Sequence, residues 1–248
     1  MPNPPVHMNL ARQVAERLGN DVLDANMGHY LLGSTSPDIR VIMRVDRSVY
    51  HFAQLDFEDI GTGMRGLFHS HPHLEEAADQ SEQTQAFMAG YLTHLMADET
   101  WIANMFRPYF GNSEVFQDET LGLVMDRAMQ LEMDRRCWDR VGQMRLLLDT
   151  PTEDIEVGFI PSESLADWAQ WVGAHLDRGF SWERLRSVAR RIAAGDEAHP
   201  AYEVAGEFAD NASAGLERLY EIVPSERIDE YHETALDSLT VAVRDYLS

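Results

Sequence analysis

The segment Phe87-Met88-Ala89-Gly90-Tyr91-Leu92-Thr93-His94-Leu95-Met96-Ala97-Asp98-Glu99 places a histidine and an aspartate four residues apart inside an otherwise apolar helical run. At 3.6 residues per turn, His94 and Asp98 share a face with Phe87 and Tyr91, and a face of that kind points into a core. Burying an unpaired imidazole and an unpaired carboxylate costs on the order of 2–7 kcal/mol per group. The fold must therefore supply partners. A hydrogen bond between the two groups, one turn apart, is one solution. A metal ion is the other, because imidazole nitrogen and carboxylate oxygen are ligands of borderline and hard character that a cation engages together.

Three further segments carry ligand-type residues beside apolar neighbours. His7 follows Pro4-Pro5-Val6 and precedes a helix expected over residues 9–18, with Asn9 as its N-cap and Gly19 as its stop. Asp38 follows the punctuated bend Gly33-Ser34-Thr35-Ser36-Pro37. His51 lies between Tyr50 and Phe52, a poor place for a solvated side chain. The four segments point to one metal site with His7, Asp38, His51, His94 and Asp98 as candidate ligands.

This ordered set resembles the zinc-dependent phospholipase C family. The early His7, the small-residue turn ending in Pro37-Asp38, the His51-Phe52 pair and the helix from Ala86 through His94 to Asp98-Glu99 carry the resemblance, over roughly residues 1–110. Single-strand-specific fungal zinc nucleases share the fold. The resemblance implies an all-α, multi-helix domain in which Asp38, His51, His94 and Asp98 bind one zinc. It implies that Asp98 also bridges to a second zinc, held in part by His7. The chain departs from the pattern twice. Secreted members use a free amino-terminal Trp as a ligand, whereas Met1 through Val6 precede His7 here, and no histidine follows Asp98 until His175 to build a third site. One or two zinc ions are expected, with Asp38 or Glu99 orienting or deprotonating the attacking water.

Other groups are weaker candidates. His69, His71 and His73 alternate, which would place them on one side of an extended segment as supplementary ligands, a phosphate-binding rim or a solvated turn; Pro72 argues for a loop. Asp126, Glu132 and Asp134 on the long helix are either extra ligands or its wet face. His29 is expected to pack or to support a ligand. His175, His199 and His232 are expected to be surface or capping groups, and Cys137 a packing residue.

The charge balance bounds the substrate. The net charge is −22, and all twenty basic residues are Arg. Such a surface repels extended polyanions over about 8 Å at physiological salt. Nucleic-acid binding and anionic membranes are thereby disfavoured, which leaves a small or lipid-derived phosphate ester, a zwitterionic headgroup or a protein partner. The expected function is a zinc-dependent hydrolase of phosphate esters, phospholipase C-like and acting on phosphodiesters. The alternatives are a non-catalytic, metal-stabilised binding or scaffold protein and, against the charge, a nuclease-like enzyme.

At 44% hydrophobic residues the chain is globular, and no apolar run approaches the ~18 residues of a membrane span. Without a basic and apolar leader pattern, and with Cys137 alone, it is expected to be cytoplasmic. The remainder reads as helical: a long helix over 117–148, a turn at 149–154, then helices over 163–176, 182–194 and 226–247. Gly61-Thr62-Gly63-Met64-Arg65-Gly66, lacking a strand–helix context, is expected to be a flexible loop. Residues 1–150 are expected to form the metal-binding helical domain and residues 151–248 a helical extension packed on it. Trp168, Trp171 and Trp182 would anchor that packing or a homo-oligomer contact.

Overall fold

Two consecutive prolines set where the first helix begins. A computed structural model describes residues 1–248, and in it α1 spans Pro4–Leu18, with Pro4 and Pro5 in its first turn. Proline is at home there because the first N–H groups of a helix have no intrahelical partner and its φ is preset. The helix therefore starts five residues before the expected Asn9, and His7 lies within it rather than ahead of it. Gly19 closes it in the left-handed conformation, φ 56°, as expected.

Four short helices follow: α2 (Asp21–Ala25), α3 (Met27–Gly33), α4 (Arg40–Met43) and α5 (Ser48–His51), with a 3₁₀ turn over Ser36–Ile39 carrying Asp38. Then come α6 (Thr62–Ser70) and α7 (Glu82–Trp101). Helix α7 is buried along almost its whole length, which explains its apolar composition on every side. It runs on into a wide π-helical segment, Ile102–Phe110, where Pro108 donates no hydrogen bond. After α8 (Glu119–Leu147) come α9 (Ser162–Asp177), α10 (Arg184–Ala193), α11 (Ala201–Asp210), α12 (Ala212–Ile222) and α13 (Glu226–Tyr246). The molecule is all-α, 73% helical and without strands. No helix is long and apolar enough to cross a membrane.

Two glycines set how closely α3 and α7 approach. A Cβ on Gly33 would sit 2.0 Å from the Phe87 carbonyl oxygen, and one on Gly90 would sit 2.0 Å from that of Tyr30. The two backbones touch, so the Ser34 peptide lies directly against the turn of α7 that carries His94. One continuous apolar cluster, from Val6 to Tyr246, joins both halves of the chain. Helix α13 packs on α7 and α1, and the Tyr231 hydroxyl donates to the Ala97 carbonyl at 3.1 Å.

The Gly61–Gly66 stretch is not a loop. It enters α6, whose first amides are held by the Glu99 carboxylate: Gly61, Thr62 and Gly63 all donate to it, the last two at 3.1 and 2.6 Å. A buried carboxylate on a helix N-terminus supplies what the local sequence lacks. With α6 formed, His69 falls in its last turn and Pro72 opens a short 3₁₀ turn, so the three alternating histidines do not share one side of an extended strand.

Replacing Gly90 by Ala is expected to destabilise the protein by about 1–3 kcal/mol through the α3–α7 contact. Gly142 is an exposed interior residue of α8 with nothing within 4 Å of a built Cβ. Ala there is expected to stabilise by about 0.5–1 kcal/mol. Denaturant unfolding of the two variants should move in opposite directions.

Candidate metal centre

Five residues from four segments converge on α7. His94 and Asp98 are 0% and 1% exposed. Helix α1 delivers His7, the end of α5 delivers His51, and the 3₁₀ turn after α3 delivers Asp38. His7 Nε2 lies 3.3 Å from Asp98 Oδ1, while His51 Nε2 and His94 Nε2 lie 3.2 and 3.6 Å from Asp98 Oδ2. Asp38 Oδ1 is 3.8 Å from His51 Nε2. The His7 and His94 rings stack at 3.8 Å.

Backbone carbonyls fix two of the imidazoles. His94 Nδ1 is 2.9 Å from the Ser34 carbonyl oxygen, and His51 Nδ1 is 3.2 Å from that of Arg47. A carbonyl only accepts, so both Nδ1 atoms carry hydrogen and both Nε2 atoms turn toward the carboxylates. This is the way metal-ligating histidines are oriented by their surroundings. Within the protein, His7 Nε2, His51 Nε2, His94 Nε2 and Asp98 Oδ1 are buried with no hydrogen-bond partner. Four orphaned, mutually facing donor atoms form a set that a cation satisfies. His7, His94 and Asp98 make one group that could hold a metal ion; Asp38, His51 and His94 make a second, and His94 is common to both.

The electrostatics agree. Burial pushes His7 down to about 4 against the pull of Asp98, and burial likewise lowers His51. Both are neutral at physiological pH, the form that binds metal. Burial opposes ionisation of Asp98, but His94, His51 and His7 outweigh it and hold the carboxyl well below its usual range. For His94 too burial favours the neutral form, yet Asp98 and Asp38 raise its pKa above the ordinary value.

One member of the centre was not legible in the sequence. Arg47 Nη2 donates to Asp98 Oδ2 at 3.0 Å. Its position four residues before His51 is the only local sign, and nothing distinguishes it there from a surface arginine. Arg40 stands 3.7 Å from Asp38.

Glu99 is not part of either ligand group. Its two oxygens are taken by the three amides at the start of α6, so its task is to cap that helix. His71 packs against Phe159 at 4.8 Å, and none of His69, His71 and His73 joins the centre. Asp126 accepts from Trp101 Nε1 and Gln130, Glu132 is bound by Arg135 and Arg136, and Asp134 accepts from Asn3. All three acids are buried rather than solvated, with side-chain donors on Asp126, on Glu132 and on one oxygen of Asp134, which α8 alone could not show. His29 Nε2 lies 3.0 Å from the Pro151 carbonyl oxygen, and His199 caps α11 through Ala201.

Residues 6–101 match the family model for zinc dependent phospholipase C. The matched span opens one residue before His7 and closes three beyond Asp98, so it contains the whole centre. The zinc-dependent phospholipase C resemblance read from the sequence thus holds for the ligand-bearing helices. Neither a curated protein nor a solved structure matches the chain.

Because unfolding releases His7 and His51 to titrate near 6.5, the unfolded chain binds more protons than the folded one as pH falls from about 6.5 toward 4. His94 acts in the opposite sense, its contribution being present below 6.5 and lost as pH rises through its folded pKa. The share that His7 carries is read as the difference between EDTA-treated native protein and its His7→Gln variant, the native protein being expected to lose more stability on acidification over this window. His7→Gln is expected to flatten that dependence; an unchanged slope in denaturant midpoints would contradict the assignment.

Proposed function

We propose that the protein is a zinc-dependent hydrolase of phosphate esters, a phospholipase C-like phosphodiesterase acting on a small or lipid-derived substrate. The observation that carries this reading is the buried set of His7, His51, His94 and Asp98 atoms, orphaned within the protein and oriented by backbone carbonyls, inside the span that matches the family. In this reading Asp38, His51, His94 and Asp98 hold one zinc, and His7 with Asp98 Oδ1 offers the edge of a second position. Residues 1–150 form the metal-binding unit, with residues 151–248 as its extension. When bound, zinc supplies Lewis acidity toward a phosphoryl oxygen and acidifies a water nucleophile.

The protein's own groups then divide the work. Asp38 is the one carboxylate of the centre that reaches solvent, its side chain being 24% exposed. Burial opposes its ionisation, but His94 and His51 outweigh it, so Asp38 is a carboxylate at neutral pH. It is placed to align a water and to take a proton at a carboxylate oxygen. Arg47 offsets part of the Asp98 charge and keeps that side chain in one orientation. The opening at Asp38 favours an enzyme over a scaffold, because structural sites are closed and catalytic ones keep an open position.

His94→Ala and Asp98→Ala are expected to lose zinc by elemental analysis and to fall to background on a general phosphodiester substrate. A folded protein that never carries metal would remove the hydrolase reading. Loss of metal from the variants without any activity in the native protein would leave the scaffold.

Asp38→Asn and Glu99→Gln separate the two candidate bases. Asp38→Asn is expected to lose activity, whereas Glu99→Gln, a helix-cap change, is expected to cost roughly 1 kcal/mol of stability and to retain activity. The reverse pattern would return the base to Glu99.

A further inference from the structure

Asp38 also lines a cavity of about 590 Å³ between α8, α9, α10 and the turn into α4. Five of the twenty arginines border it: Arg40, Arg127, Arg178, Arg184 and Arg191. In a chain with forty-two acidic residues, carboxylate partners are abundant, yet Arg178, Arg184 and Arg191 form no ion pair. Arg127 has one carboxylate within reach, its chain neighbour Asp126 at 3.8 Å, and donates to the Gln130 side-chain oxygen at 2.7 Å. Of the cavity's carboxylates, Asp38 belongs to the metal centre and Glu183 is bound to Arg186 at 3.0 Å.

The local field is positive although the chain is strongly negative overall. Burial, and then the charges of Arg184, Arg178 and Arg191, push His175 on the cavity wall down to about 4. Partial desolvation, and then Arg127 and Arg40, lower Arg191, so these three guanidiniums share one neighbourhood. The amino-terminal residues Met1–Pro4 form another part of the wall, and a stack of Trp168, Trp171 and His175, with rings 4.9 and 5.4 Å apart, a third. Aromatic walls suit a quaternary ammonium only where no cation competes. Here the guanidiniums exclude it, and the cavity is too small for an extended polyanion. Arg178 and Arg184 donate in part to the Ala174, His175 and Gly179 carbonyl oxygens, while Arg191 has no side-chain partner, and a guanidinium without a carboxylate has the geometry to take a phosphate.

We propose that this arginine-lined cavity binds a second phosphate group of the substrate, carried on the alcohol of the ester that the metal centre beside Asp38 would take. This rests on the phosphate-ester reading of the metal centre and narrows it: the headgroup is a multiply charged phosphorylated alcohol rather than a zwitterion. The acidic surface then repels large polyanions, and the cavity draws in small ones.

The test is calorimetric titration of the full-length protein with inositol 1,4-bisphosphate and with inositol 1-phosphate, neither of which is a diester. Co-sedimentation with phosphatidylcholine vesicles containing phosphatidylinositol 4-phosphate or phosphatidylinositol forms a parallel arm. The bisphosphate is expected to bind at least about tenfold more tightly than the monophosphate, with an affinity that falls as salt rises. Arg127→Gln/Arg191→Gln is expected to reduce the preference to about twofold or less. Arg191→Glu should do the same, and as an exposed residue without an ion pair its replacement should not disturb folding. A matching preference among vesicles identifies a lipid headgroup; preference in solution alone identifies a soluble ester. No preference in either arm, or one that survives both variants, overturns the proposal. If the preference holds and no diester is hydrolysed, the hydrolase reading fails while the arginine site stands.

Discussion

The Asp98 carboxylate is buried, and three imidazoles and one guanidinium, from two other segments and from α7 itself, surround it. Each of those segments is where it is because a buried carboxylate must be offset. Helix α1 brings His7, α5 brings His51 with Arg47 one turn earlier, and α7 supplies His94 itself. The close α3–α7 approach permitted by Gly33 and Gly90 completes the arrangement by laying the Ser34 carbonyl on His94 Nδ1. Packing and ligand orientation are thus one constraint: loosening the glycine contact would release the imidazole.

The same region shows how a second acidic residue can have an unrelated role beside the first. Asp98 and Glu99 are adjacent, yet one faces the imidazoles and the other caps α6. A helix turns by about 100° per residue, so neighbours in sequence point to different surroundings. The capping of α6 in turn positions the histidine-bearing turn that follows it, where His71 joins the aromatic packing of Phe52 and Phe159.

The carboxyl-terminal half serves the centre in two ways. Helix α13 covers α7 and helps exclude water from the buried ligands. Helices α9 and α10 help to wall the cavity that opens beside Asp38, where arginines scattered in sequence between Arg40 and Arg191 come together. Net charge describes the approach of a large partner, while this local gathering governs a small one, because exposed charges separated by more than a Debye length are screened from each other.

The all-α class, the long helices and the five candidate ligands were legible in the sequence. Polar groups on an apolar helix, proline and glycine punctuation and ligand-type residues are local signals that reflect local energetics. At the start of α1 two local signals compete, the Asn9 cap and the prolines at the first turn, and the prolines prevail because their φ is preset. Helix α6 has no local signal of its own because its stabilising carboxylate, Glu99, is 36 residues away. Arg47 at Asp98, the donors that bury Asp126, Glu132 and Asp134, and the arginine cavity depend on which helices pack together. The sequence alone determined which residues could not tolerate water or solitude; only the tertiary structure decided what each was paired with, because pairing depends on distances that no spacing along the chain encodes.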